Sequence, residues 1–411
     1  MSVEAAVRPQ LGASFWRLFA SSSTSNLSDG IMQAALPLLA ATLSRDPVAV
    51  STLGAVAFLP WLLFAIPAGT IVDRVNRRTA MATANLARAG ILGLLAVAVV
   101  TGHVSLPVLY VAAFLLGCCE TVYDSAARAI LPRVVTRPQL ERGNSLLTTA
   151  ESVGNIFLGA PVGAWLFALA ISLPLWANSG AYLVAALLAL TVAGRFAVER
   201  TEQTSMREDT VEGLRWLVHH EFFRRLMVVT GLAAAVHTLP QGILVLFALQ
   251  NLGLDERGYG LALAGAGVGA IVGAMLSPTL TRLAGRTRAM GAAQTLSAVA
   301  ILFIAFWQHP VGSPALYAVS AGAISMFNVQ IMSVRQAMIP DHLFGRVQGA
   351  YRTVIWGGIP IGMLAGGVLG SWLGLPAVFL VSGVCGIALA IATWWILHAH
   401  AAEIAAAFAE E

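Results

Sequence analysis

The sequence predicts an all-α membrane protein of twelve transmembrane helices, built as two six-helix bundles related by a parallel pseudo-twofold repeat. First, the 411 residues are 58% hydrophobic and 11% charged, with a mean hydropathy of +0.78, and no water-soluble fold needs so much apolar sequence. Second, charged and Pro/Gly clusters divide the chain into about twelve apolar runs of roughly 20 residues, the length of a membrane-spanning helix. Third, motifs recur at a shift of 207 or 208 positions, which indicates a duplication.

The twelve runs give the following predicted spans: 14–42, 48–72, 78–101, 105–130, 143–168, 171–195, 222–250, 258–281, 288–308, 313–335, 346–371 and 375–397. They are continuously apolar and much longer than the alternating, roughly 10-residue strands of a membrane barrel, so we expect helices. The first run is interrupted by Ser21 to Asn26 and continues to Leu43 without a clear cleavage site. A removable signal peptide is therefore not expected.

The arginines predict the orientation in the membrane. All 24 basic residues are arginine, and they cluster before the first span and after the second, fourth, sixth, eighth and tenth. The opposite loops hold little beyond Arg45 and Arg257, each beside an acidic residue. By the positive-inside rule, both termini lie in the cytoplasm. The isoelectric point near 9.3 does not indicate nucleic-acid binding, because the arginines are divided among several loops.

The repeat is visible at several positions. The polar segment 69–78 has an echo at 277–288, and Asp29 falls on His237. Arg128 and Pro132 match Arg335 and Pro340, while Gly154, Gly159 and Gly163 match Gly362, Gly366 and Gly370. We predict bundles at 1–195 and 222–411, the second ending in a short cytoplasmic tail. The linker at 196–221 is predicted to contain an amphipathic helix at the inner membrane surface.

Charges at membrane depth are the main functional candidates, because each needs a partner, a wet cavity or a proton. Asp29 and Glu120 lie deep in helices 1 and 4, so each is a candidate proton-coupling acid, a structural acid or a contact for a cationic substrate. Glu151 is a further coupling candidate, although an ion pair of Arg88 with Glu151 or with Asp124 would explain these charges structurally. His237 could titrate in the working pH range or serve as a packing donor.

Several side chains are predicted to line a central cavity, although interhelical amides can also serve only for packing. They are Gln33, Arg88, Asn155, Gln241, Phe327, Asn328, Gln330 and Trp356. Glycines recur every fourth residue in helix 8 (Gly265, Gly269, Gly273) and in helix 11 (Gly358, Gly362, Gly366, Gly370), which predicts close helix contacts. Cys118, Cys119 and Cys385 have neither disulfide nor metal spacing. Without a nucleotide-binding loop, zinc pair or nucleophile elbow, the sequence favours neither an enzyme nor an ATP-driven pump, and no cofactor or metal is expected.

One loop carries a family resemblance that extends over essentially the whole chain. Gly69, Asp73, Arg74, Arg77 and Arg78 form G-x-x-x-D-R-x-x-R-R after the second span, which resembles the major facilitator superfamily. The stretch Gly159-Ala-Pro161-Val-Gly163, with Gly154 upstream, is similar to that superfamily's antiporter signature, although Ala160 interrupts the usual Gly-Pro pair. Segments 124–132 with 140–146, and 335–340 with 345–347, resemble the branch that exports macrolides and other drugs, siderophores and lysophospholipids.

The resemblance implies a cytoplasmic latch between the two halves. Asp124 and Arg128 share a helix face and can pair, and the family's pattern brings such an acid to the loop arginine, here Arg77. Asp73 is expected against the start of helix 11. The same charges could instead only fix loop packing and topology.

We therefore expect a secondary transporter in the inner membrane of a bacterium. It would export a small amphipathic or hydrophobic compound, such as a drug-like molecule, siderophore or lipid-like molecule, by proton antiport through alternating access. Its expected partners are the substrate, protons and the lipid bilayer, not nucleic acid, and it is expected to act as a monomer. An uncoupled facilitator or importer, and a non-transporting receptor or scaffold, remain alternatives.

Overall fold

A computed structural model describes residues 11–72, 75–194 and 215–408, and the elements in these ranges are helical. The first six long helices are α1 (Ala13–Leu43), α2 (Pro47–Val72), α3 (Arg77–Val100), α4 (Leu106–Val134), α5 (Leu140–Glu151, Ser152–Gly159 and Ala160–Leu169) and α6 (Leu173–Leu190). The next six are α7 (Glu221–Leu246, continued by Phe247–Asn251), α8 (Glu256–Ala284), α9 (Arg286–Phe306), α10 (Gly312–Met338), α11 (Asp341–Leu373) and α12 (Leu375–Ala399). A short α13 (Ala401–Ala407) follows.

The predicted twelve-helix architecture is confirmed, with helix boundaries within a few residues of the predicted spans. Within the described ranges, eleven helices are long and apolar enough to cross a membrane by length and composition. The twelfth, α1, has 31 residues, but its serine-rich first half, Asp29 and Gln33 lower its hydropathy. The polar groups that distinguish α1 also supply most of the candidate site.

Local chemistry fixes the helix ends. The Asn76 side chain accepts a hydrogen bond from the Arg78 amide at 3.0 Å and caps α3, and Asp255 caps α8 through the Gly258 amide at 2.8 Å. Only one residue separates α8 from α9 and α11 from α12. These residues are Gly285 and Gly374, with φ of 82° and 85°, backbone values that residues with a Cβ rarely adopt. We call the helix ends near residues 75–76, 135–136, 285 and 339–340 the arginine-rich ends and the opposite ends the arginine-poor ends.

The described chain divides into two compact units. The first unit holds residues 11–35, 63–72, 75–104 and 111–194, and the second holds 36–62, 105–110 and 215–408. In the first unit α3 packs along α6, and in the second α7 packs along α11, α8 along α10 and α9 along α12. Each unit has a core of buried apolar side chains. The predicted domain boundaries remain a prediction, because most of the linker lies outside the described residues.

The repeat is reflected in the helix contacts. A Cβ on Gly154 would lie 3.2 Å from the Leu27 amide nitrogen, and the counterparts of both residues 208 positions later, Gly362 and Ala235, also approach closely. Gly30 packs against the backbone of Gly154, as its counterpart Thr238 packs against Gly362. The α1–α5 and α7–α11 contacts are therefore equivalent.

The predicted glycine contacts are confirmed in most cases. Gly269 and Gly273 of α8 approach the carbonyl groups of Ala318 and Gly322 so closely that neither could carry a methyl group without a backbone shift. Gly362 and Gly366 of α11 approach α7 in the same way, whereas the Cβ position of Gly358 is 3.1 Å from the Gly231 carbonyl oxygen and that of Gly370 is 3.3 Å from side chains. Gly265 has no atom within 4 Å of its Cβ position, so the prediction was wrong there.

Candidate functional site

A buried ion pair lies at the centre of the first unit. Arg88 of α3 and Asp29 of α1 are both near the middle of their helices, and Arg88 Nη1 lies 3.4 Å from Asp29 Oδ1. The Tyr182 hydroxyl of α6 donates to the same carboxylate oxygen at 2.5 Å. The Arg88 side chain is 1% exposed and that of Asp29 14%. Three helices thus converge on one carboxylate at membrane depth.

Aromatic rings and hydroxyl groups complete the surroundings of Arg88. Its guanidinium carbon lies 5.3 Å from the Tyr123 ring centre and 5.2 Å from that of Tyr182, distances at which an aromatic ring attracts a cation. Arg88 Nη1 also donates to Ser25 Oγ at 3.3 Å. Two predictions for Arg88 were therefore wrong: its ion-pair partner is Asp29 rather than Glu151 or Asp124, and its side chain is buried rather than lining a cavity.

Glu120 lies close to this pair but is not part of it. It is 14 residues from either end of α4 and lies one helical turn before Tyr123, whose ring faces Arg88. Glu120 is partly exposed and makes no hydrogen bond or ion pair within 4 Å to any described residue. A carboxylate without a partner is costly at membrane depth, and binding a proton removes that charge.

The acids nearer the arginine-rich ends differ from the central pair. Asp124 pairs with Arg128 at 3.8 Å as predicted, but these side chains are 29% and 66% exposed. Glu151 is exposed and has no partner among the described residues. The first unit thus combines one buried, neutralised pair with three acids that the described protein atoms cover only in part.

The antiporter-like motif has an unusual backbone. Residues Ser152–Gly159 of α5 form a wide π-helical segment that ends just before Pro161. Proline has no N–H to give to the carbonyl of residue 157, so the regular α-helical pattern is interrupted there. Gly159 and Gly163 pack directly on Gly30 and Ile31 of α1. Asn155, inside the wide segment, accepts a hydrogen bond from Gln33 of α1, so two predicted cavity residues meet.

The structure shows hydrogen bonds for two of the predicted latch residues, Arg77 and Arg78. Arg77 Nη1 donates to the Ala129 carbonyl of α4 at 2.8 Å, and Arg78 Nη1 donates to the Val192 carbonyl at 3.2 Å. These bonds tie the start of α3 to the ends of α4 and α6. Gly69 lies within α2, whereas Asp73 and Arg74 lie outside the described residues. The latch therefore stays a prediction.

The second unit contains an aromatic pair at mid-helix. The Trp61 ring of α2 meets the Trp356 ring of α11 edge-on, with centres 4.8 Å apart. The Arg352 guanidinium carbon lies 4.0 Å from the Trp356 ring centre and 5.8 Å from that of Trp61. Trp356 is partly exposed, as expected of a cavity contact. Trp61 was not predicted, although its position near the middle of α2 could have indicated it.

Two cavity predictions for the second unit, Phe327 and Gln330, were wrong, whereas the expectations for Asn328, Gln241 and His237 stay predictions. Phe327 is 4% exposed and Gln330 1%, because both lie on the face of α10 that packs into the apolar core. Asn328, one residue on, is exposed, while Gln241 and His237 are partly exposed. His237 makes no hydrogen bond to a described residue. The charged arrangement around Asp29 therefore has no counterpart around His237.

Sequence reasoning missed the tyrosines that surround Arg88. Tyr182 lies 153 positions from Asp29, and no short motif connects them. One signal was available, since Ser21, Ser25 and Asp29 recur every fourth residue and must share a face of α1. Over the described residues, no group of three His, Cys, Asp or Glu side chains could hold a metal ion.

Comparisons with known proteins agree with this architecture. Residues 5–409 match the family described as transmembrane secretion effector. The chain is 25% identical to an uncharacterised MFS-type transporter, YfiS of Bacillus subtilis, over 92% of this chain and 91% of YfiS. It is also 25% identical to the multidrug efflux pump Tap of Mycolicibacterium fortuitum, over 87% and 89% of the two chains. The fold resembles the crystal structure of the nucleoside transporter NupG, with a TM-score of 0.77, 13% identity, and coverage of 94% and 99%. The chain is a transporter-fold membrane protein that belongs to the transmembrane secretion effector family of the major facilitator superfamily.

Proposed function

We propose that this protein exports a small amphipathic or hydrophobic compound in exchange for protons, and that Glu120 is the acid that binds the proton. The observation that carries the proposal is the partly exposed carboxyl group of Glu120 at mid-membrane depth. It has no partner among the described residues, whereas the Asp29 carboxylate already has two. Asp29 is neutralised by Arg88 and accepts from Tyr182. Of the two central acids, Glu120 is therefore the one free to exchange a proton.

The export direction is supported by the similarity to Tap and by the arginine distribution. If the arginine-rich ends face the cytoplasm, Glu120 takes up a proton when open to the outside and releases it inside. Trp61 and Trp356 offer ring faces and edges to an apolar or aromatic substrate. Such a compound could be drug-like, a siderophore or lipid-like. In a monomer of the bacterial inner membrane, alternating access of the two bundles would connect proton uptake from the outside with proton release to the inside.

One observation favours a second candidate, an uncoupled facilitator. The Asp29–Arg88 pair already neutralises one central acid, so this cluster could be purely structural. In that case Glu120 would contact a substrate cation directly, and flux would follow the substrate gradient alone.

Proteoliposomes containing the purified protein would separate these functions. Efflux of ethidium, doxorubicin and pyrenebutyrate would be followed with and without an imposed pH gradient. Acceleration by the gradient in wild type, lost in Glu120→Gln but kept in Glu141→Gln, would support the proposal; Glu141 is an exposed acid in the first turn of α5. Equal flux with and without the gradient would favour the facilitator, and absence of flux for all three probes would favour a receptor or scaffold.

A further inference from the structure

One face of α1 carries polar side chains along half the length of the helix. We call these residues the α1 polar stripe: Ser14, Arg17, Ser21, Ser25 and Asp29, spaced three or four positions apart. At about 1.5 Å per residue the stripe is roughly 22 Å long, from the arginine-rich end to the central ion pair. A polar face directed into an apolar bundle needs a partner at every step.

Each member of the α1 polar stripe reaches another helix or chain end of the first unit. Nearest the arginine-rich end, Ser14 Oγ donates to the Ala193 carbonyl at 3.1 Å and Arg17 Nη1 to the Thr191 carbonyl at 2.8 Å. Deeper in, Ser21 Oγ donates to the Ala185 carbonyl at 2.8 Å, Ser25 Oγ to Asn85 Oδ1 at 3.3 Å, and Asp29 meets Arg88 and Tyr182. The Tyr123 hydroxyl donates to Ser22 Oγ at 3.3 Å beside them. Polar contacts therefore continue from the surface to mid-membrane.

The first unit also contains buried polar atoms that have no hydrogen-bond partner in the part of the chain that the structure describes. They are Arg88 Nη2, Asn85 Nδ2 and Ser23 Oγ, with both side-chain atoms of Asn178. Asn85 and Asn178 are 0% exposed and Arg88 is 1% exposed. Each such atom is destabilising unless a bound water molecule completes its hydrogen bonds. Two of these atoms, Arg88 Nη2 and Asn85 Nδ2, belong to residues already bonded to Ser25.

The spacing of the stripe also suits water. Side chains one helical turn apart are separated by about 5–6 Å, about twice the length of a hydrogen bond. One water molecule bridges such a gap by donating to one side and accepting from the other. Without water, no proton could pass from one serine of the stripe to the next.

We propose that the α1 polar stripe, with Asn85, Tyr123 and Tyr182, binds a file of water molecules that conducts protons between Glu120 and the arginine-rich end. This inference rests on the proposed function, because Glu120 is the acid that supplies the proton. One proton leaves the Glu120 carboxyl group. Each water accepts a proton on one side and gives one up on the other, and one proton emerges near Arg17, so no other bond is broken.

The ion pair has a specific part in this route. A fixed guanidinium beside a water file repels protons, but Asp29 lies 3.4 Å from Arg88 and cancels its charge. Tyr182 holds the carboxylate in place from the opposite helix. Asp29 is thus a positioning and charge-balancing residue, and proton release does not share the substrate's exit.

The first test places an apolar side chain in the file. Ser25→Val removes the hydroxyl that joins Asn85 and Arg88. Ser28→Val is a matched control, since Ser28 is equally buried and, among the described residues, its hydroxyl bonds only to the Thr24 carbonyl of α1. Because one hydrogen bond in the route is lost, we expect Ser25→Val to slow gradient-driven export of the probe that wild type transports by about tenfold. Ser28→Val should stay within about twofold of wild type, and both variants should bind the probe normally. Equal rates for the two variants would overturn the water file.

The second test does not depend on transport. Hydroxyl-radical footprinting in detergent modifies buried side chains that contact bound water. We expect modification of Tyr123 and Tyr182, but not of Tyr351, which is 0% exposed and bonded to the Phe223 carbonyl. Absence of modification at both first-unit tyrosines would contradict the inference. If wild type ignores a pH gradient yet these tyrosines are modified, the proposed coupling fails and the hydrated stripe remains.

Discussion

Replacing Asp29 with asparagine is expected to destabilise the protein by about 3–5 kcal/mol, the usual cost of leaving one member of a buried ion pair without its partner. The side chain keeps its shape but loses the charge that balances Arg88. At 3.4 Å and an effective dielectric constant of about 20, the attraction between the two charges is about 5 kcal/mol. Desolvation offsets part of that attraction in the intact pair, but the stranded guanidinium keeps its desolvation cost.

The same bundle supplies a control with the same chemistry. Arg128 and Asp124 lie 3.8 Å apart with side chains that are 66% and 29% exposed, and ion pairs that are not buried contribute about 0–1 kcal/mol. Arg128→Gln should therefore change stability by less than about 1 kcal/mol. Each variant removes one charge from an Arg–Asp pair, Asp29→Asn the acid and Arg128→Gln the base, so a large difference between them reflects mainly the burial of the charge that is left.

Unfolding in mixed micelles, followed by tryptophan fluorescence, would give the free energy of unfolding of each variant. The double variant Asp29→Asn/Arg88→Gln should recover part of the loss, since it removes both charges. If Asp29→Asn and Arg128→Gln had the same effect, or if the double variant were no more stable than Asp29→Asn, the account of a neutralised buried pair would be refuted.

Three further predictions concern other parts of the molecule. Gly269→Ala should destabilise the protein by about 1–3 kcal/mol, because the added methyl group forces α8 away from α10. Gly265→Ala, one turn away in open space, should leave stability unchanged, and unfolding in mixed micelles would compare the two variants. Burial lowers the pKa of His220, with Glu403 opposing and His400 adding to this effect. Because burial outweighs Glu403, the folded surroundings of His220 favour its neutral form, so the start of α7 should be most protected from proteolysis above about pH 6.5 and loosen as the pH falls below it. His220→Gln should remove this pH dependence. Trp356→Ala should weaken binding of an aromatic probe measured by fluorescence quenching, while Trp395→Ala, at an exposed position on α12, should not.

Hydropathy and charge were sufficient to predict the architecture. Apolar runs bounded by charged or Pro/Gly residues predicted the helices closely, because a membrane helix must be both long and apolar. The 208-residue shift predicted the equivalent contacts of Gly154 and Gly362, which depend on backbone approach rather than on particular side chains.

The partners of the buried charges could not be predicted in the same way. Depth along a helix follows from residue number, but the direction of a side chain around the helix depends on the packing of all its neighbours. The depth of Arg88 was therefore predicted correctly, but its ion-pair partner was not. Phe327 was assigned to a cavity although it faces the core. The wide segment of α5 was also missed, since only Pro161 and flanking glycines indicated an irregular helix.

The central claim is that Glu120 couples proton movement to export, and gradient-driven efflux tests it most directly. In proteoliposomes that export ethidium, imposing an inward pH gradient should accelerate efflux by wild type and by Glu141→Gln. Glu120→Gln, folded and still binding the probe, should transport at the same rate with and without the gradient. Acceleration of Glu120→Gln to the wild-type extent would contradict the claim.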